Sequence, residues 1–287
     1  MSLLTYKNWE PQTSLSPSSD GASPAHNLRV THSHVEQYRG APITPRPGRS
    51  QPAFALNTDP LKGCIGFSEL SPEIRLALGR MSQSRQLGAN DFVYLQDDEA
   101  QYLYFVVSGH IRLSGLMEDG SAVIHAILPA GESFGELGVF EESTYCDMAT
   151  AIGPTVIACI PIHSFRALSA SHPEIGKALA RLIAKRYRGY VMLTRDISLK
   201  AMSARLAQAV LRLADSLGVR MVHRGRPALI LGNAVTQTDL GLMARGSRGN
   251  VNRVLKTWER AGWIAMVDRC IVLINRVALE ASVMEEC

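Results

Sequence analysis

The sequence predicts an α+β protein: an N-terminal β-roll of the jelly-roll kind, a long helix, and a C-terminal winged helix-turn-helix. Three observations carry this. Short apolar runs rich in β-branched and aromatic residues (FVYL, YLYFVVSG, HIRLSGLM, AVIHAILP and TVIACIPI) crowd residues 92–162. A stretch free of proline after Pro173 repeats apolar residues at helical spacing. Residues 236–258 then read as two short helices on either side of a tight turn.

Taken in order, residues 1–60 hold eight of the fourteen prolines with many Ser and Thr, and read as a disordered tail. The His32–His34 pair in it reads as chance spacing, because a metal needs further rigid ligands. Residues 61–170 form the β-roll. SPEIRLALGRM opens it as a helix with Ser71 as N-cap and Pro72 at the first helical position. Gly88, Gly109, Gly115, Gly120 and Gly131 are expected at turns, with Asp119–Gly120 as a hairpin turn.

Residues 171–198 form the long helix. Leu179, Ile183, Arg186, Tyr190, Leu193 and Ile197 follow at spacings of 4, 3, 4, 3 and 4, a coiled-coil seam interrupted only by Arg186. Residues 199–287 form the last domain. Its first helix runs from about Ser203 to Leu217, with Gly218 as the C′ residue.

Thr236 and Asp239 then make a capping-box-like start for a helix of two turns, with Leu240 and Met243 buried. Ser247 caps the next helix, whose apolar positions Val251, Val254, Leu255 and Trp258 fall on one side. The other side carries Arg248, Gly249, Asn252, Arg253 and Lys256. Such a helix suits the DNA major groove, where arginine bonds guanine O6 and N7 and lysine neutralises phosphate. WIAMVDRCIVLI reads as a two-stranded wing turning at Asp268–Arg269.

Charge follows the same division. Residues 61–150 carry 13 acidic and 5 basic side chains, and residues 151–287 carry 9 and 20, within a net charge of only +4. One half is suited to a polyanion and the other is not. The five cysteines are scattered without a CxxC pair, which argues against a disulfide framework or a zinc or iron–sulfur site. No apolar run is long enough for a membrane span and no secretory signal is visible, so a cytoplasmic location without cofactor is expected.

PAGESFGELGVFEE at 129–142 and SRGNVNRVLKTWERAGWI at 247–264 resemble two segments of the Crp/Fnr family of bacterial transcription regulators. The first resembles its phosphate-binding cassette, in a cyclic-nucleotide-binding-like roll, and the second its recognition helix. The resemblance runs from about Phe67 to Ala281. It implies a homodimer that meets through the long helix (Leu179, Ile183, Tyr190, Leu193 and Ile197), binds a two-fold symmetric double-stranded DNA site and contacts RNA polymerase. It implies DNA contacts from Thr236, Ser247, Arg248, Gly249, Asn252, Arg253 and Lys256, with Arg248 and Arg253 as base readers. Gly249 stands where the family's best-known members carry glutamate.

The same comparison implies an effector pocket at Gly135, Glu136, Cys146, Asp147 and Tyr190, of degenerate kind. The family's Arg-Ser phosphate pair falls on Cys146 and Asp147, so the arginine-to-phosphate bond is lost and a carboxylate is added. Cyclic AMP is therefore not the expected effector, and its identity stays open. Cys146 reads as a neutral replacement, not a redox sensor, because Asp147 beside it would raise the thiol pKa.

Two other readings compete with the DNA-binding one. A β-roll ligand-binding module acting on a partner protein, not on DNA, would leave the basic helix without a use. A cupin-like metalloenzyme would need clustered ligands, and His110 and His125 stand singly.

Overall fold

The computed structural model describes residues 61–284 except 62, 65, 118–121, 199–200 and 233, and leaves the side chains of residues 196 and 197 undescribed. The expected tail and the Asp119–Gly120 turn lie outside the described residues.

Helix α1 (Pro72–Met81) begins as expected, with the Ser71 hydroxyl accepting from the Ile74 amide. The roll follows as strands β1 (Gln83–Leu87), β2 (Phe92–Tyr94), β3 (Tyr102–Leu116), β4 (Ala122–Pro129), β5 (Ser133–Phe134) and β6 (Met148–Pro161). All pairings are antiparallel, in the order β1-β6-β3-β4, with β2 on β6 and β5 on β3.

Two expected turns are not turns. Gly109 and Gly115 lie inside β3, which is one strand of 15 residues. Gly109 has φ +81 and sits where the β3–β6 register shifts between Ser108 and His110. It marks a bulge, which bends a long strand without ending it.

After β6 come α2 (Ile162–Ser171) and the long helix α3 (Pro173–Ile197). Phe67, Phe105 and Phe165 pack edge to face beneath the roll, and Ile175, Ala178, Leu179 and Leu182 of α3 close the same core.

Helix α4 (Met202–Leu217) ends at Gly218, whose φ of −64 is not left-handed as a C′ glycine would be. The glycine is required for another reason: a Cβ there would collide with the Ala214 carbonyl. The chain continues into a hairpin that the sequence did not disclose, β7 (Val219–His223) and β8 (Arg226–Leu231).

Helices α5 (Gln237–Ala244) and α6 (Arg248–Arg260), the wing strands β9 (Ile264–Val267) and β10 (Cys270–Leu273), and α7 (Arg276–Met284) complete the domain. Its sheet runs β7-β8-β10-β9. Asp268 and Arg269 both have positive φ, 49 and 66, which suits a two-residue hairpin turn. Leu206, Val210, Leu240, Val251, Leu255 and Trp258 fill the core, and Ile124 and Ile127 of β4 join it from the roll.

Candidate nucleic-acid interface and ligand pocket

The helix-turn-helix forms through local capping. The Thr236 hydroxyl accepts from the Asp239 amide at 3.1 Å, while the Asp239 carboxylate accepts from the Thr236 amide at 2.9 Å. This is the full capping box, worth about 1 kcal/mol. Asp239 is only 2% exposed and also accepts from the Arg112 guanidinium of β3 at 2.6 Å. One buried carboxylate thus starts α5 and ties it to the roll. Arg245 ends α5 at φ +51, and the Ser247 hydroxyl caps α6 through the Asn250 amide at 3.2 Å.

On α6, Val251, Leu255 and Trp258 are buried and Val254 is half-buried. Arg248, Gly249, Arg253 and Lys256 are exposed, and Asn252 is half-buried on the flank. Among the described residues, no partner takes the charged ends of Arg248, Arg253 or Lys256. Thr236 is exposed, but its hydroxyl hydrogen is committed to Asp239 at 2.7 Å. A Cβ on Gly249 would meet only the Ser247 hydroxyl, at 3.9 Å, so the position is open to a longer side chain. Arg245 and Arg269 are exposed at the turn and the wing tip.

The pocket is a cavity of about 200 Å³ at the junction of the roll and α3. Gly135, Glu136, Cys146, Asp147 and Tyr190 all line it, so the structure brings these five residues together. Gly135 has φ +72, and a Cβ there would come within 3.0 Å of the Tyr145 ring and 3.1 Å of the Tyr102 carbonyl. Arg166 holds the following turn by donating to the carbonyls of Gly138 and Val139, each at 2.8 Å.

Sequence reasoning missed three lining residues of consequence. Tyr94 donates to Asp147 at 2.9 Å, and its ring stacks on Tyr145 at 3.7 Å. Tyr187 lines the mouth. Arg186, read as a flaw in the seam, turns into the cavity, bonds Glu136 at 2.5 Å and also donates to the Ser133 carbonyl. A cation at a seam position with a 3.5-residue repeat was the available signal.

Burial, with the Glu136 charge adding to it against the Tyr94 hydrogen bond, pushes Asp147 up to about 6. Burial and then the Asp147 charge push the Cys146 thiol up, the direction expected from the sequence.

The expected seam requires correction. Leu179 is fully buried against its own roll, Ile183 packs on the same core, and Leu193 is 5% exposed. Tyr190 is half-buried at the pocket, and the side chain of Ile197 lies outside the described residues. Leu179 and Ile183, the first two positions of the repeat, thus serve the roll of the same chain. Ala180, Ala184, Tyr187 and Val191, each one residue further on, are exposed.

Among the described residues, no cluster of three His, Cys, Asp or Glu side chains could hold a metal, and no helix is long and apolar enough to cross a membrane.

A β-roll with a pocket, joined through a long helix to a winged helix-turn-helix with a basic outer face, defines a DNA-binding regulator with a sensor-type domain. The comparisons with known proteins agree. The cyclic nucleotide-binding domain matches residues 84–172, and the Crp-like helix-turn-helix domain matches residues 204–282. The CRP-like cAMP-activated global transcriptional regulator of Mycobacterium tuberculosis is 25% identical over 207 residues, 72% of this chain and 91% of that protein. The cAMP-activated global transcriptional regulator CRP of Pasteurella multocida is 29% identical over 177 residues, 61% of this chain and 82% of that protein. The fold is also that of FixK2 from Bradyrhizobium japonicum, with a TM-score of 0.61 at 23% identity, covering 70% of this chain and 96% of that one. The chain belongs to the Crp/Fnr family of transcription regulators.

Proposed function

We propose that the protein acts as a cytoplasmic homodimer that reads a two-fold symmetric DNA site with α6, and contacts RNA polymerase when bound. Residues 61–170 are the sensor, 171–198 the dimerisation helix and 199–287 the DNA-binding domain. The observation that carries the reading is the outer face of α6. Among the described residues, Arg248 and Arg253 are exposed there without partners for their guanidinium groups, and Lys256 lies further along. Arg248 and Arg253 read bases and Lys256 a phosphate, with Asn252, Ser247 and Thr236 along the same edge.

The partner subunit is proposed to sit on Ala180, Ala184, Tyr187 and Val191. These residues are exposed and repeat at 4, 3 and 4 along α3, with Tyr187 also at the edge of the pocket. Ala180 and Ala184 there permit close helix approach.

Cyclic AMP does not fit the pocket well. Its phosphate would face Asp147 and Glu136, and both terminal nitrogens of Arg186 are already engaged. The test is a DNA mobility shift on a site selected from random sequence, at several salt concentrations. Lys256→Ala should weaken specific and random DNA alike and flatten the salt slope by about one unit. A salt slope unchanged by this variant removes Lys256 from the interface.

A further inference from the structure

The pocket carries two carboxylates, Glu136 and Asp147, against one guanidinium, Arg186. One oxygen of Glu136 is bonded to Arg186, while the other, Oε2, is buried without a hydrogen-bond partner. The Glu136 side chain is 7% exposed, so water does not simply solvate it. A buried carboxylate oxygen left without a donor is costly, and Glu136 is one of the residues lining an accessible cavity. Four tyrosines, Tyr94, Tyr145, Tyr187 and Tyr190, also line the cavity.

We propose that this pocket takes a small organic cation, a primary amine with a single-ring or short alkyl body, whose ammonium donates to Glu136 Oε2 and to Asp147. The proposal rests on the reading of the pocket as the effector site and gives that site a ligand class. An ammonium has donors for both carboxylates and neutralises the excess negative charge. The tyrosine faces attract a cation through their quadrupoles and cover the body of the ligand. Arg186 stays on Glu136 Oε1 and the Ser133 carbonyl, so that ion pair need not break. An anion of the same size would meet two carboxylates and an occupied arginine.

The experiment uses the full chain, with thermal shift and titration calorimetry at neutral pH. The probes are phenethylamine and benzylamine, the neutral analogue 2-phenylethanol, the anion phenylacetate, and cyclic AMP. The amines should raise the melting temperature at millimolar concentration, and the neutral and anionic probes should not. Asp147→Asn, which keeps an acceptor for Tyr94, should weaken amine binding about tenfold or more. Glu136→Gln should weaken it further if that variant folds. If neither amine binds, or if phenylacetate or cyclic AMP binds more tightly than both, the proposal is overturned. Specific DNA binding is measured on the same preparation. Intact DNA binding without amine binding defeats only the ligand assignment, whereas loss of both defeats the regulator reading.

Discussion

Asp147→Asn isolates the electrostatics of the pocket. The Asp147 carboxyl is buried and held at about 6, against 3.8 for the free group. Its folded value lies above the unfolded one, so the folded chain keeps a proton that the unfolded chain releases between those pH values. Stability attributable to this group is therefore present at low pH and is lost as pH rises toward 6. At 1.36 kcal/mol per pH unit, the full cost above pH 6 is about 3 kcal/mol. Asparagine removes the charge and keeps an oxygen for the Tyr94 hydroxyl, but its amide hydrogens return about 1 kcal/mol of that as desolvation. The net gain is about 2 kcal/mol at about pH 8, or roughly 4–8 °C in Tm for a chain of this size. Below the free carboxyl's pKa the gain should disappear and leave the variant less stable by about 1 kcal/mol. The groups facing Asp147 are Tyr94, Glu136, Arg186, Cys146 and Tyr190, none of them altered by the substitution. Thermal unfolding at a series of pH values reads the difference. A variant with the wild-type Tm throughout, or with its advantage at low pH instead, would refute the reasoning.

Three further outcomes are expected. Arg112→Ala leaves the buried Asp239 carboxylate with only its Thr236 donors and should destabilise the chain by about 2–3 kcal/mol in urea unfolding; a loss below about 0.5 kcal/mol contradicts the brace. Ala184→Glu with Val191→Glu puts like charges across the proposed two-fold contact and should give monomers in sedimentation at micromolar concentration, whereas an intact dimer would move the interface elsewhere. Gly249→Glu, at a position with open space, should add a cytosine preference at one base pair per half-site, and an unaltered selected site would place Gly249 away from the bases.

Side-chain caps and the Asp268–Arg269 turn were legible in the sequence, whereas single glycines misled at Gly109, Gly115 and Gly218. Ser71–Pro72, the Thr236–Asp239 box, the Ser247 cap and the Asp268–Arg269 turn each act within three residues, so a short stretch of sequence shows them in full. Strand β1 escaped notice because QSRQL is polar at four of its five positions; it forms by pairing with β6. The Arg112–Asp239 pair joins residues 127 apart, and no local pattern announces it. On α3, periodicity gave the helix but not its orientation. A 3.5-residue repeat packs as well on a roll as on a partner, and only the fold shows that Leu179 faces inward. The five pocket residues came from motif likeness, while Arg186 came from a helix 50 residues beyond Glu136.

Selection of bound DNA from a random library most directly tests the claim that α6 reads a two-fold site. Wild-type protein should enrich a symmetric sequence with half-sites about one helical turn, or roughly 10 base pairs, apart. Arg248→Ala and Arg253→Ala should each lose a guanine preference in both half-sites, at about 1–3 kcal/mol, with little change on random DNA. Enrichment of an asymmetric sequence, no enrichment at all, or variants that weaken specific and random DNA equally would contradict the account.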